Sequence, residues 1–178
     1  MPMDTTTTLT FRKYSEDYFP YIAKWNSDDR ISRSIGFEKI PTETETHMFV
    51  VSCANDRNSI FSVIELMEKP VGYFLLSNIN NKHNTAELHV VIGENSNFLG
   101  VQVIDKILDV CFNVLDLHRV TTYVLSDNPK LINTAKKYGW TEEGIMKGMI
   151  LMNGERLDYH VFRMLKEEFK KSCQSHSQ

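Results

Sequence analysis

Glu87 and His89 stand two residues apart in T-A-E-L-H-V-V-I, residues 85–92. A carboxylate and an imidazole at that spacing can accept and pass on a proton if the chain between them is extended, because alternate side chains of a strand look the same way. The run supports extension: Ala86, Leu88, Val90 and Ile92 fall on one face, and Glu87, His89 and Val91 on the other. Glu87 is the first candidate for a general base, its other reading being a carboxylate paired with a nearby cation or backbone N–H. His89 is the candidate relay, or else a histidine simply hydrogen-bonded in place. Asp158 and His160 repeat the acid–imidazole spacing near the C-terminus.

Ten residues past the strand the pattern changes. Val103, Ile104, Ile107, Leu108, Cys111, Val114 and Leu115 recur at three- and four-residue steps, with Gln102, Asp105, Lys106, Asp109, Asn113 and Asp116 between them. That is an amphipathic helix. A helix opening just beyond a strand presents unpaired N–H groups and the positive end of its dipole, so it can hold a phosphate without a lysine. A dinucleotide site of the G-x-G-x-x-G kind is a poor alternative, because Gly100 alone does not make that motif.

The elements that must position these residues follow in order. Met1–Thr8 reads as a flexible N-terminus and Leu9–Tyr14 as a first strand. Ser15 opens a helix whose stripe is Phe19, Ile22, Ala23 and Trp25; a short helix spans Asp28–Ile35 and stops at Gly36; Thr42 caps another with Met48, Phe49 and Val51 buried. The acids Asp28, Asp29, Glu38, Glu43 and Glu45 read either as a solvated surface or as a wall attracting a cation. Ser59–Met67 and Val71–Ser77 are antiparallel strands turning at Glu68-Lys69-Pro70, and Asn78–Asn84 is a polar loop. Arg119–Leu125 is a β-branched run to be covered on both faces, hence a central strand parallel to the Glu87 strand. Asn128-Pro129 opens a helix that packs Leu131, Ile132, Ala135 and Tyr138 and ends at Gly139. Gly144–Leu151 and Arg156–Leu165 form a hairpin at Asn153-Gly154, and Lys166–Gln178 is a charged tail.

With 178 residues, 42% hydrophobic residues and a net charge of −3, the chain suits one domain over residues 9–165 and a small-molecule or peptide partner rather than nucleic acid. Cys53, Cys111 and Cys173 are too far apart for a metal knuckle and read as reduced thiols of a cytoplasmic protein. There is no metal motif, membrane-spanning run or export signal.

The order of elements from Leu9 to Leu165 resembles the GNAT family of acyl-CoA-dependent N-acetyltransferases. N-P-K-L-I-N-T-A-K-K-Y-G-W-T-E-E-G from Asn128 to Gly144, then N-G-E-R-L-D-Y from Asn153 to Tyr159, is similar to the branch of ribosomal-protein and spermidine acetyltransferases, in which an Asn opens the late helix, a Gly-aromatic pair ends it and Glu-Gly starts the next strand. The resemblance implies an α/β fold on a mixed sheet, with antiparallel N-terminal strands, one parallel pair and a C-terminal hairpin. It implies acetyl-CoA as co-substrate, its pyrophosphate on the N–H groups of Asn97, Phe98, Leu99, Gly100, Val101 and Gln102, its pantetheine along Val91 and Ile92, and Asn128 holding the arm from the neighbouring strand. It also implies an N–H near Val91 polarising the thioester carbonyl, the last strand with Asp158 and His160 on the acceptor side, no metal and a possible homodimer.

Two departures stand beside these matches. The family's loop reads Gln or Arg, two residues, Gly, one residue, Gly or Ala, whereas Asn97-Phe98-Leu99-Gly100-Val101-Gln102 keeps only the central glycine. Asn97 then reads equally as a helix cap, and Gln102 sets a side chain where a phosphate must approach. Where many relatives carry a Tyr or a Ser to protonate the departing thiolate, this chain has Ala135 or Leu131, and Tyr138 reads as packing. Two functions are therefore expected to compete: acetyl transfer to a primary amine of a protein N-terminus, polyamine or amino sugar, or a binding module on the same fold whose acetyl-CoA site is weakened or lost.

Overall fold

Apolar residues at every second position of the strands, with two helical groups to cover them, call for a sheet buried on both sides. The computed structural model describes residues 8–93 and 99–169, so the expectations for Met1–Thr7, for Asn97 and Phe98 and for residues 170–178 lie outside the described residues.

Strands β1 (Leu9–Lys13), β2 (Ile60–Leu66), β3 (Lys69–Asn80), β4 (Thr85–Ile92), β5 (Arg119–Leu125), β6 (Thr141–Met152) and β7 (Glu155–Leu165) form one seven-stranded sheet in the order β1-β2-β3-β4-β5-β7-β6. Its pairings are antiparallel except β4 with β5. Helices α1 (Phe19–Asn26), α2 (Asp29–Ser34) and α3 (Glu43–Asn55) bring Ile22, Trp25, Ile31 and Val50 against Phe61, Val63, Tyr73, Leu75 and Val91. On the other face, α4 (Leu99–Asp109) and α5 (Pro129–Lys137) bring Val103, Ile107, Leu108 and Ile132 against Phe74, Leu76, Ala86, Leu88, Val120 and Val124. The division of β4 is the expected one: Val90 and Ile92 pack on the α4 side with Ala86 and Leu88, and Val91 on the other.

Local chemistry explains most element ends. Thr42 and Glu45 form a reciprocal capping box on α3, and the Asp28 carboxylate accepts from the Arg30 and Ile31 N–H groups at the start of α2. Two of the five surface acids are thus spent on helix starts. Ser15 leads only into a short 3-10 turn, Glu16–Tyr18, before α1. Asn153 and Gly154 take positive φ of 51° and 81°, which the two-residue hairpin requires.

Several expectations fail where register, not composition, decides. The first hairpin turns at Met67-Glu68, both at positive φ, and not at Glu68-Lys69-Pro70. β3 runs through the supposed loop to Asn80. In α3 the buried residues are Thr46 and Val50, whereas Met48 is 67% exposed. After α4 the chain widens into a π turn, Val110–Val114, in which the Leu115 N–H bonds the Val110 carbonyl at 2.9 Å. The extra residue in that turn carries Phe112 inward and leaves Val114 71% exposed. Leu131 and Tyr138 of the α5 segment are exposed rather than packed. β5 is covered unevenly: Val120 and Val124 are buried on one face, whereas on the other Leu125 is buried and Arg119, Thr121 and Tyr123 are only half-buried.

Two glycines fix how closely the backbone packs beneath the end of β4. A Cβ on Gly72 would stand 2.2 Å from the Val91 carbonyl oxygen, and one on Gly93 would stand 2.1 Å from Trp25 Nε1. A Cβ on Gly100 meets nothing within 4 Å. Gly72→Ala is therefore expected to cost about 1–3 kcal/mol, the scale of overpacking, and Gly100→Ala to leave stability unchanged or slightly raised. Paired thermal and urea unfolding checks both, and an unaffected Gly72→Ala would contradict the packing described.

Candidate active site

The site begins where the parallel pairing ends. Thr85, Ala86 and Glu87 of β4 pair with Arg119, Val120 and Thr121 of β5. Beyond Glu87 and Thr121 no pairing continues, although β4 runs on to Ile92 and β5 to Leu125. The Thr122 hydroxyl donates to the Leu88 carbonyl at 2.9 Å, a side-chain contact where a ladder bond would otherwise lie.

The backbone past this point has a definite polarity. The Gly93 N–H donates to the Val71 carbonyl at 2.8 Å, and the Val91 carbonyl points at Gly72, so both turn towards β3. Successive residues turn their backbone groups to opposite sides. Val90 and Ile92 therefore direct N–H and C=O groups to the side on which β5 has diverged. The available donor beside Val91 is the Ile92 N–H, and Val91 contributes its side chain to the core under α1.

Glu87 and His89 share a face, as alternation requires, with Ser77 and Leu75 opposite them on β3. The Tyr123 hydroxyl donates to Glu87 Oε1 at 3.1 Å. Burial, then the Glu87 carboxylate, raises the Tyr123 phenol above its ordinary value, with Arg119 opposing. The Tyr159 ring backs that of Tyr123 at 5.7 Å between centroids, tilted by 48°, and its hydroxyl lies 3.2 Å from where a Cβ on Gly36 would stand. Arg33 at the end of α2 pairs with Asp127 after β5 at 2.8 Å, pinning that helix beside the two tyrosines. The arginines facing the same way are engaged elsewhere: Arg119 and Arg163 pair with Glu143, and Arg163 also with Glu168. Glu87 thus takes a hydrogen bond from a phenol while the neighbouring guanidiniums are held by other carboxylates.

The remaining expected residues separate. Asn128 Oδ1 caps α5 by accepting from the Leu131 N–H at 3.1 Å, its backbone N–H donates to the Leu125 carbonyl at 3.0 Å and its C=O accepts from the Ile132 N–H at 3.1 Å, so its amide N–H₂ is the group left for a ligand. Leu99, Gly100, Val101 and Gln102 form the first turn of α4, with Leu99 buried and the Gln102 side chain exposed. Asp158 bonds Lys147 and the Gly148 N–H, each at 2.8 Å. His160 lies on the α5 face of β7 with Phe162 and Met164 and bonds Glu142, which pairs with Lys136. That pair therefore sits across the sheet from Glu87 and does not join the site. Tyr123 and Tyr159 were missed, although a signal existed: once Glu87 is set parallel to Thr121, a two-residue period puts Tyr123 on the Glu87 face.

Residues 15–161 match the sequence model of the acetyltransferase (GNAT) domain, which is most of the chain. The chain belongs to the GNAT acetyltransferase family. It is accordingly an acyl-CoA-dependent N-acetyltransferase. This acetyltransferase is 27% identical over 111 residues to the spermidine N(1)-acetyltransferase of Vibrio cholerae serotype O1, a match covering 61% of this chain and 64% of that protein. An uncharacterised N-acetyltransferase of Bacillus subtilis (strain 168) is 24% identical over 93% of this chain and 97% of its own. The solved structure of the spermidine N-acetyltransferase from Vibrio cholerae in complex with CoA and spermine superposes with a TM-score of 0.81, at 24% identity, over 91% of this chain and 98% of that one, which shows a shared fold. Among the described residues, no group of three or more His, Cys, Asp or Glu could hold a metal ion, and no helix is long and apolar enough to cross a membrane.

Burial pushes the His89 imidazole below its ordinary value, against the pull of Glu87. The folded chain therefore binds fewer protons there than the unfolded chain does. The neutral imidazole's contribution is complete above about pH 6.5 and is lost as pH falls from there through the lower folded-state value. The thermal midpoint of the native chain should fall as the pH is lowered from about 6.5, and His89→Gln should flatten that fall. An unchanged slope in the variant would show that His89 does not titrate with folding.

Proposed function

We propose that this acetyltransferase moves the acetyl group of acetyl-CoA to a primary alkylamine, with a polyamine as the acceptor class. The observation that carries this is the divergence of β4 from β5 just past Glu87, which leaves backbone donors and acceptors at Val90 and Ile92 beside a carboxylate. The residues present fit the donor. Ile92 offers an N–H to the thioester carbonyl as charge builds on its oxygen, and the first turn of α4 from Leu99 to Gln102 offers N–H groups and a positive dipole end to the pyrophosphate. Asn128 would support the arm from its side of the opening.

Glu87 acts as the base. An alkylammonium ionises near pH 10, so nucleophilic attack needs a carboxylate or water to take its proton. His89, neutral and half-buried beside it, lines the acceptor path and can pass that proton on. The polyamine assignment is supported by the likeness to spermidine acetyltransferases in sequence and fold. A single domain over residues 9–165 working in the cytoplasm accords with free Cys53 and Cys111 thiols.

Calorimetry with acetyl-CoA and a thiol-release assay over a panel of amines test the reading together. Glu87→Gln should keep acetyl-CoA binding and lower kcat by about 10²–10⁴, the scale of acid–base catalysis. Absence of acetyl-CoA binding at millimolar ligand would refute the proposal, and an undiminished rate would acquit Glu87. Because the Gln102 side chain is exposed, Gln102→Gly should leave acetyl-CoA affinity unchanged. A sharp gain would favour a natural site that has lost its cofactor.

A further inference from the structure

Acyl transfer from sulfur to nitrogen moves one proton between the two atoms, so a site that takes it from nitrogen must also return one to sulfur. Neither Leu131 nor Ala135 of α5 can donate. Tyr138 is exposed at the far end of that helix, with the Lys137 ammonium 5.9 Å from its ring. Tyr123 differs on each count. It stands on β5 two residues past the last parallel-paired position, on the wall opposite the free backbone groups of Val90 and Ile92. Its hydroxyl already bonds the carboxylate proposed as the base, reaching from beyond the end of the parallel pairing to its last paired residue on β4. Tyr159 holds its ring from behind.

We infer that Glu87 and Tyr123 form one proton-transfer unit spanning the opening between β4 and β5, with Tyr123 as the acid that protonates the departing sulfur. This rests on the acetyl-transfer reading above. The acceptor enters as a neutral amine, having lost one proton to water. As the C–N bond forms, Glu87 takes a proton from nitrogen. As the C–S bond breaks, Tyr123 gives its phenolic proton to sulfur and recovers one from Glu87 through the existing hydrogen bond. The products are the amide and the free thiol, and both side chains end as they began. Protonation of Glu87 removes the negative charge that disfavours the phenolate, so the base primes the acid at the moment the acid is needed.

The charged and titratable groups on the same face include Tyr73 on β3, Glu87 and His89 on β4, Arg119 on β5, Tyr159 and Arg163 on β7 and Glu143 on β6, which holds both arginines, with the Arg33–Asp127 pair beside the tyrosines. Among the described residues, only Glu87 is hydrogen-bonded to the phenol. Ultraviolet titration of the free protein reads the coupling without turnover. The phenolate transition that disappears in Tyr123→Phe should lie above that of free tyrosine in the native chain and move down towards about pH 10 in Glu87→Gln. In the assay, Tyr123→Phe should bind acetyl-CoA as the native chain does, lose about 10²–10⁴-fold in kcat and lose the alkaline fall of the native pH profile.

A Tyr123 transition that Glu87→Gln leaves unmoved, a native kcat in Tyr123→Phe, or a reduced kcat that keeps the alkaline fall would each overturn the relay while acetyl transfer stands. A native chain that releases no thiol with any amine would overturn both.

Discussion

The proposed site depends on one interrupted ladder. Backbone N–H and C=O groups must be paired or solvated, and in a sheet the neighbouring strand normally supplies the partners. Here the parallel pair stops after Glu87 and Thr121 while both strands continue. The groups thus freed at Val90 and Ile92 are rigidly held, because the opposite edge of β4 stays paired with β3 up to Ile92. A strand with one edge committed and one edge open can bind an extended, amide-bearing ligand as a missing strand would be bound.

What keeps the ladder open is packing on both faces. On one side α4 and its π turn bury Val103, Ile107, Leu108, Cys111 and Phe112 against β3, β4 and β5. On the other, Trp25 lies so close to Gly93 that no side chain could intervene, with Tyr73 stacked against Trp25 and Phe61. Full burial of a large apolar side chain stabilises by about 1.5–3 kcal/mol, so each of these two layers outweighs the few ladder bonds forgone. Burial also silences Cys111, whose thiol is pushed up to about 12.

The charges are arranged so that the cleft's own carboxylate stays available. Glu65, buried on β2, is satisfied by Arg12, Tyr18 and Thr10 and held below the usual carboxylate range, chiefly by Arg12. Glu143 takes Arg119 and Arg163; Glu142 takes Lys136 and His160; Asp158 takes Lys147. Ion pairs of this sort contribute little stability at a surface. The effect of the Glu143 pairs is to occupy the Arg119 and Arg163 guanidiniums on the Glu87 face, leaving a phenol as that carboxylate's hydrogen-bond donor.

The sequence by itself determined the β4–α4–β5 unit, the two-faced pattern that sets Glu87 beside His89, the Thr42 cap and the Asn153-Gly154 hairpin, because these follow from periodicity and turn chemistry within a few residues. The motifs around Asn128 and Gly139 likewise pointed to the family that the comparison established. Where distant segments meet was decided only by the tertiary structure. A two-residue period puts His160 and Asp158 together but cannot say which side of the sheet they share, and strand order sent His160 to the face opposite Glu87. The π turn was invisible because one extra residue per turn leaves composition unchanged while shifting every later side chain. Tyr123 meets Glu87 across 36 residues of chain, through a parallel register that no local pattern encodes.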